Sequence, residues 1–173
     1  MKKIVSALLI SAAAISAPAF AEGFTDGQVG SAYAVVDLGV INYGGGGSAT
    51  AISVGGGVQV HPAVAVEVDY MHGGTANYGF NVWQESLSAL QVWGVGHYTI
   101  NDQFQAYAKG GVALNSYKWG FVAGPTTTNS STDLAAAIGI KYNISSAVAV
   151  HAQYMDAGTA SANVLSVGAQ FNF

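Results

Sequence analysis

Beyond residue 21, eight segments of this chain alternate between aliphatic residues and small or polar ones. A repeat of two is the signature of an extended strand, whose successive side chains point to opposite faces. In the first segment, residues 32–40, Ala32, Ala34, Val36, Leu38 and Val40 oppose Tyr33, Val35, Asp37 and Gly39. The pattern returns in residues 52–60, 64–71, 90–98, 106–115, 133–142, 148–155 and 165–173. Apart from Asp133, which opens the sixth, five charged residues fall within these segments: Asp37, Glu67, Asp69, Lys109 and Lys141. Each lies on the face opposite the aliphatic one, where a charge avoids the cost of facing hydrocarbon.

The alternation alone also fits a soluble β-sandwich with its apolar face turned inward. The second face argues against that. It holds Gly, Ala, Ser and Val as often as polar residues, and only 8% of the chain is charged, against about a quarter in ordinary soluble domains. The connectors add a second argument. Those after the second, fourth and sixth segments are short, whereas those after the odd segments are longer and rich in Gly, Ser, Thr and Asn. Short turns on one rim, long loops on the other and segments of about ten residues are the pattern of a membrane barrel. An even number of strands closes with no free edge. The expected fold is therefore all-β, an eight-stranded antiparallel up-and-down transmembrane β-barrel.

The first 21 residues read differently. Lys2 and Lys3 precede an uncharged run from Ile4 to Ala17, and Ala19-x-Ala21 fits a small-residue cleavage site. The run is shorter than the roughly 20 residues that a spanning helix needs. Residues 1–21 are expected to be a cleaved signal peptide and 22–173 the barrel domain. The barrel portion then has three lysines, no arginine and nine carboxylates, a formal net charge of −6. That balance excludes a basic nucleic-acid binder. The absence of cysteine excludes a disulfide scaffold, a thiolate zinc site and a cysteine nucleophile. An internal echo is also present: the thirteen residues from Val64 to Ala76 match those from Val148 to Ala160 at eight positions. Two such copies cannot build a propeller, but they fit strands on opposite sides of an eight-stranded ring.

Two stretches carry a family resemblance. The chain ends Leu165-x-Val167-x-Ala169-x-Phe171-x-Phe173, and an earlier stretch reads Phe104-x-Ala106-Tyr107-x-x-Gly110-Gly111. With these the sequence resembles the small eight-stranded outer-membrane β-barrels of Gram-negative bacteria, the OmpA-like transmembrane-barrel and opacity-protein group. The resemblance implies an outer-membrane location with a periplasmic N-terminus and a monomeric barrel in contact with lipid and lipopolysaccharide. It also implies that the C-terminal pattern is read by the barrel-assembly machinery. The peptidoglycan-binding activity of full-length OmpA is not implied, because no such domain follows Phe173.

An eight-stranded barrel has an interior that side chains can just fill. Glu67 or Asp69 is expected to pair there with Lys109 or Lys141, since a buried charge is costly without a partner. The resembled family's lumen clusters are discussed as gates, so a narrow low-conductance pore is the alternative to a filled, structural lumen. Lipid-A-modifying enzymes also use eight strands, but the flanks of His151 lack their His-x-Ser-Asn run and its parity places it inside; no enzyme is expected. His61, His72, His97 and His151 are not expected to converge on a metal, and no cofactor is implied. Gly44 to Gly47 has no helix behind it to make a phosphate loop. The remaining surface is the long loops: Tyr78, Phe80 and Trp83 in the second, Trp119 and Phe121 in the third, from Lys118 to Thr132. They are expected either to bind partners or to be solvated tips above an aromatic girdle, with Lys118 near lipopolysaccharide phosphates.

Overall fold

The computed structural model describes residues 29–173 apart from Gly45, Asn81 and 158–161; the expected signal peptide lies outside the described residues. Eight strands follow one another: β1 Ala32–Asn42, β2 Ser48–His61, β3 Val64–Tyr78, β4 Trp83–Thr99, β5 Phe104–Phe121, β6 Thr126–Asn143, β7 Val148–Asp156 and β8 Asn163–Asn172. Each pairs antiparallel with its sequence neighbour, and β1 pairs antiparallel with β8, so the sheet is a closed barrel. The predicted fold class is the observed one. The two echoing segments begin with β3 and β7, four strands apart around the ring.

The alternation sorts side chains as the sequence pattern predicts. Leu38, Leu134 and Val167 face outward and are 57%, 68% and 62% exposed, whereas Trp93 and Glu67 face the lumen at 1% and 2%. In a water-soluble protein such an apolar exterior would be a large liability; here it meets acyl chains. Aromatic residues mark the rim that holds the C-terminus: Tyr98, Phe104 and Phe171 are all exposed there, and Phe104 packs on Tyr142 with ring centroids 4.9 Å apart. Turns at that rim are closed by side chains. Asn101 Oδ1 accepts the backbone N–H groups of Gln103 and Phe104 at 3.0 and 2.9 Å, and Ser145 Oγ accepts those of Ala147 and Val148, the local bonding that makes Asn and Ser turn formers.

The opposite, distal rim departs from the expectation. The third loop, expected from Lys118 to Thr132, is mostly strand: β5 runs to Phe121, β6 begins at Thr126, and only 122–125 connects them. Of the five aromatic loop candidates, only Phe80 lies in a connection; Tyr78 ends β3, Trp83 starts β4, and Trp119 and Phe121 belong to β5. The extra length is thus paired sheet. Strands β4, β5 and β6 have 17, 18 and 18 residues, whereas β7 and β8 have 9 and 10. Crossing the hydrocarbon takes only about 9–11.

The outward row of β5 shows where the lipid stops. It reads Ala106, Ala108, Gly110, Val112, Leu114 and then turns to Ser116 and Lys118. On β6 the change comes after Leu134, at Thr132, and on β4 after Leu90, at Ser88. Polar pairs on the outer surface close the band: His72 Nδ1 lies 2.9 Å from Ser88 Oγ, and Asn42 Nδ2 donates to Asn163 Oδ1 at 3.3 Å. His72, expected in a loop, is on this outer face of β3. Beyond the band, β5 continues for seven residues from Asn115 to Phe121, roughly 20 Å along the strand. Paired with β4 and β6 it forms a projecting sheet. Pairing of β6 with β7 reaches only Ala136 opposite Asp156, so among the described residues the upper part of β6 is bonded on the β5 side alone.

This boundary is testable by lysine substitution. Ile138→Lys, in the middle of the outward row of β6, is expected to cost about 2–4 kcal/mol in vesicle unfolding experiments, whereas Thr128→Lys, outward on the projecting sheet, costs about 0–1 kcal/mol. Equal costs at the two positions would contradict the boundary.

Candidate functional site

Two places gather polar chemistry: the middle of the lumen and the distal rim with its projecting sheet. In the lumen, the inward rows bring Asp37, Glu67, Asp69, Lys109 and Lys141 inside, all buried. Lys109 Nζ forms an ion pair with Glu67 Oε1, and Tyr33 donates its hydroxyl to Glu67 Oε2 at 2.9 Å. The Lys109 ammonium also stands 5.6 Å from the centre of the Tyr107 ring. Asp69 pairs with neither lysine. Trp93 Nε1 donates to its Oδ2 at 3.0 Å, while its Oδ1 has no hydrogen-bond partner. Among the described residues no carboxylate forms an ion pair with Lys141.

A second cluster was not singled out in the sequence as a site. His151 Nε2 lies 2.7 Å from Asp37 Oδ1, which also accepts from Ser166 Oγ at 3.4 Å and Gln153 Nε2 at 3.5 Å. The hydroxyl of Tyr107 reaches Gln153 Oε1 at 3.2 Å and its ring lies between His97 and His151, with centroids 6.4 and 6.1 Å away. Ser166 and His151 therefore converge on the carboxylate separately. That differs from a nucleophile handed to its base, which needs the serine within reach of the imidazole. Asp37 and Asp69 line a cavity of about 10 Å³, room for roughly one water molecule.

Glycines make this packing feasible. Tyr33, Trp93 and Tyr107 sit directly opposite Gly57, Gly111 and Gly139 on the neighbouring strand. A Cβ at Gly57 or Gly139 would lie 2.4 or 2.3 Å from the tyrosine ring, and one at Gly111 would lie 2.0 Å from the carbonyl oxygen of Val92. Each large ring thus lies over the bare backbone across from it. At Gly110, by contrast, an outward Cβ would meet nothing within 4 Å.

At the distal rim a polar layer closes over the lumen. Glu85 is buried; Tyr117 donates its hydroxyl to Glu85 Oε2, and Oε1 is left without a partner. Tyr43 donates to the Gly74 carbonyl at 2.9 Å and accepts the Leu87 N–H at 3.2 Å; burial pushes its hydroxyl pKa up to about 12, so it stays protonated and able to donate. Asn115 Nδ2 bridges Asp133 Oδ2 and the Ala157 carbonyl. Above this layer the inner face of the projecting sheet carries stacked rings. Trp83 lies between Phe121 and Trp119, with centroids 4.2 and 6.3 Å away and planes 30° and 24° apart. Their parity is that of the lumen and they stand beyond the outward apolar band, so these rings are no membrane girdle. Sequence reasoning missed Glu85, Tyr43 and Asn115; the inward row Glu85, Leu87, Ala89, Gln91, Trp93 extends the recognised period and is the signal that could have found the first.

Comparison with known proteins gives the following. The sequence matches the family model described as outer membrane protein beta-barrel domain over residues 6–173. No curated protein matches it. Among solved structures, Neisserial surface protein A (NspA) superposes with a TM-score of 0.65 at 16% identity, covering 83% of this chain and 96% of that one. The N-terminal β-barrel domain of Pseudomonas aeruginosa OprF gives 0.61 at 16% identity, over 84% and 100%. Ail, the attachment invasion locus protein of Yersinia pestis, in complex with the heparin analogue sucrose octasulfate, gives 0.55 at 14% identity, over 84% and 100%. At such identities these structures speak for the fold.

The ion pair makes a defined prediction. Lys109→Met leaves a buried carboxylate with Tyr33 alone and is expected to destabilise the barrel by about 3–5 kcal/mol, whereas the double change Lys109→Met with Glu67→Gln recovers most of that loss. Denaturant unfolding in micelles measures both; a double variant no better than the single one would refute the pairing.

Proposed function

This chain belongs to the outer membrane protein beta-barrel domain family, and on that premise we propose that it is a monomeric surface-interaction protein whose working part is the projecting sheet. The observation that carries this reading is the length of β4, β5 and β6, which exceeds what the membrane requires by about seven residues per strand. Paired, aromatic-bearing sheet outside lipid offers a rigid platform, whereas a solvated loop would not. In this reading residues 1–21 direct export, the N-terminus is periplasmic and the projecting sheet is extracellular. The outward residues Leu165, Val167, Ala169, Phe171 and Phe173 serve as the assembly signal for the barrel-assembly machinery. Lys118, on the outer face of β5, meets lipopolysaccharide phosphates.

The lumen supports a structural role. Its rings and its Lys109–Glu67 pair occupy the interior, and the cavity lined by Asp37 and Asp69 is of water size. A narrow pore is the second reading, favoured by the unpartnered Asp69 Oδ1 and by Lys141, which has no ion pair among the described residues. Lipid-A chemistry is disfavoured because Ser166 and His151 are buried inside the wall, away from any lipid substrate.

Removing residues 119–127, the tip of the β5–β6 hairpin, is expected to abolish binding of protein-bearing cells to their target surface while leaving heat-modifiable gel migration intact. Binding that survives the deletion would refute the surface reading. In planar bilayers the parent protein should show no steady unitary steps; steps abolished by Lys109→Ala or Glu67→Ala would favour the pore instead.

A further inference from the structure

The projecting sheet has chemistry that neither lipid nor lumen explains. Residues 78–83 and 119–128, the two neighbouring hairpin tips, contain no charged residue. They are tied together, with the Val122 N–H donating to the Val82 carbonyl at 3.0 Å and Gln84 Nε2 to the Phe121 carbonyl at 3.1 Å. Trp83 in the middle of the stack is half-buried, while the flanking rings of Trp119 and Phe121 stay 39% and 43% exposed. At the tip Phe80 is fully exposed and holds a φ of 58°. A bulky side chain rarely adopts that backbone conformation, and such strain concentrates at ligand-contacting positions. A contiguous exposed apolar patch of this kind marks an interaction surface.

The neighbours of the stack narrow the partner. Across the ladder, Thr127 stands opposite Trp119 and Asn129 opposite Tyr117, on the same inner face and exposed. The face therefore offers flat aromatic surface beside a hydroxyl and an amide, and among the described residues no charge stands beside the stack: Glu85 is buried, Lys118 has the opposite parity, and the half-buried Asp133 lies four residues below Asn129, where it accepts from Asn115 and Ser131. A polyanion finds no counter-charge here. A purely apolar partner would strip water from Thr127 and Asn129 without replacing their hydrogen bonds, at a net cost. A pyranose ring has both required characters, a flat C–H face and a rim of uncharged hydroxyls.

We propose that the inner face of the projecting sheet binds neutral saccharide chains, a sugar face on Trp119 and its hydroxyls on Thr127 and Asn129. The proposal deepens the surface-interaction reading and rests on it. Aromatic contact supplies the affinity, and the polar pair supplies the orientation.

The test uses the full chain refolded in micelles and titrated with maltoheptaose, cellohexaose and chitohexaose, read by tryptophan fluorescence and calorimetry. At least one neutral oligosaccharide should bind saturably and independently of salt. Trp119→Ala and Thr127→Val should each weaken that binding by about tenfold, while Lys118→Ala leaves it unchanged and all three variants keep heat-modifiable migration. Three results would overturn the proposal: none of these sugars binding, undiminished binding by Trp119→Ala, or salt-sensitive binding of heparin or binding of phosphatidylcholine vesicles in their place. Cell binding that needs residues 119–127 but persists on enzymatically deglycosylated target cells would sink the saccharide proposal alone. Cell binding that does not need them would sink the surface reading as well.

Discussion

Lipid offers the backbone nothing to bond with, and the rest of this structure follows from that. Every amide in the hydrocarbon layer must find a partner within the protein, which for a sheet means closing it. The ladder between β1 and β8, from Tyr33 opposite Asn172 to Asn42 opposite Asn163, removes the last edge. Once the sheet is closed, each strand separates two solvents, and the two-residue period decides which side chain meets which. The scarcity of charge is then a consequence: hydrocarbon rejects it on one side, and the narrow interior accepts it only where partners exist.

The interior meets that condition unevenly. Glu67 is well satisfied, with an ion pair and a tyrosine hydroxyl, and Asp37 accepts from three side chains. Asp69 and Lys141 are less complete. The tyrosine and tryptophan rings that fill the remaining space rely on glycine directly across the ladder, so sequence positions that look like weak strand formers are the ones that let the barrel close around large side chains.

The alternation made the fold, the strand count and the inward placement of Asp37, Glu67, Asp69, Lys109 and Lys141 legible in the sequence. Partner choice was not legible. Asp37 and His151 lie 114 residues apart, and which inward residues meet depends on register, which a period of two cannot supply. The projecting sheet was hidden for a related reason. In Thr126 to Asp133 both faces meet water, so hydrophobic alternation vanishes and a threonine-rich strand reads as a loop, although threonine favours extended structure. The same blindness placed Trp119 and Phe121 in a loop, where a girdle was a reasonable expectation; their inward parity is visible only once β5 is known to run unbroken through them.

The wall that separates two solvents and the sheet that outgrows it can be measured together along β5. The chain has no cysteine, so single cysteines from 106 to 121 can each carry one nitroxide label in bilayers. The account predicts high oxygen accessibility at the outward positions 106 to 114, low accessibility at the alternate ones, and a change to access by water-soluble nickel reagent at 116, 118, 119 and 121. Oxygen-rich, water-excluded signals persisting through 116 and 118, or no alternation below 114, would contradict it.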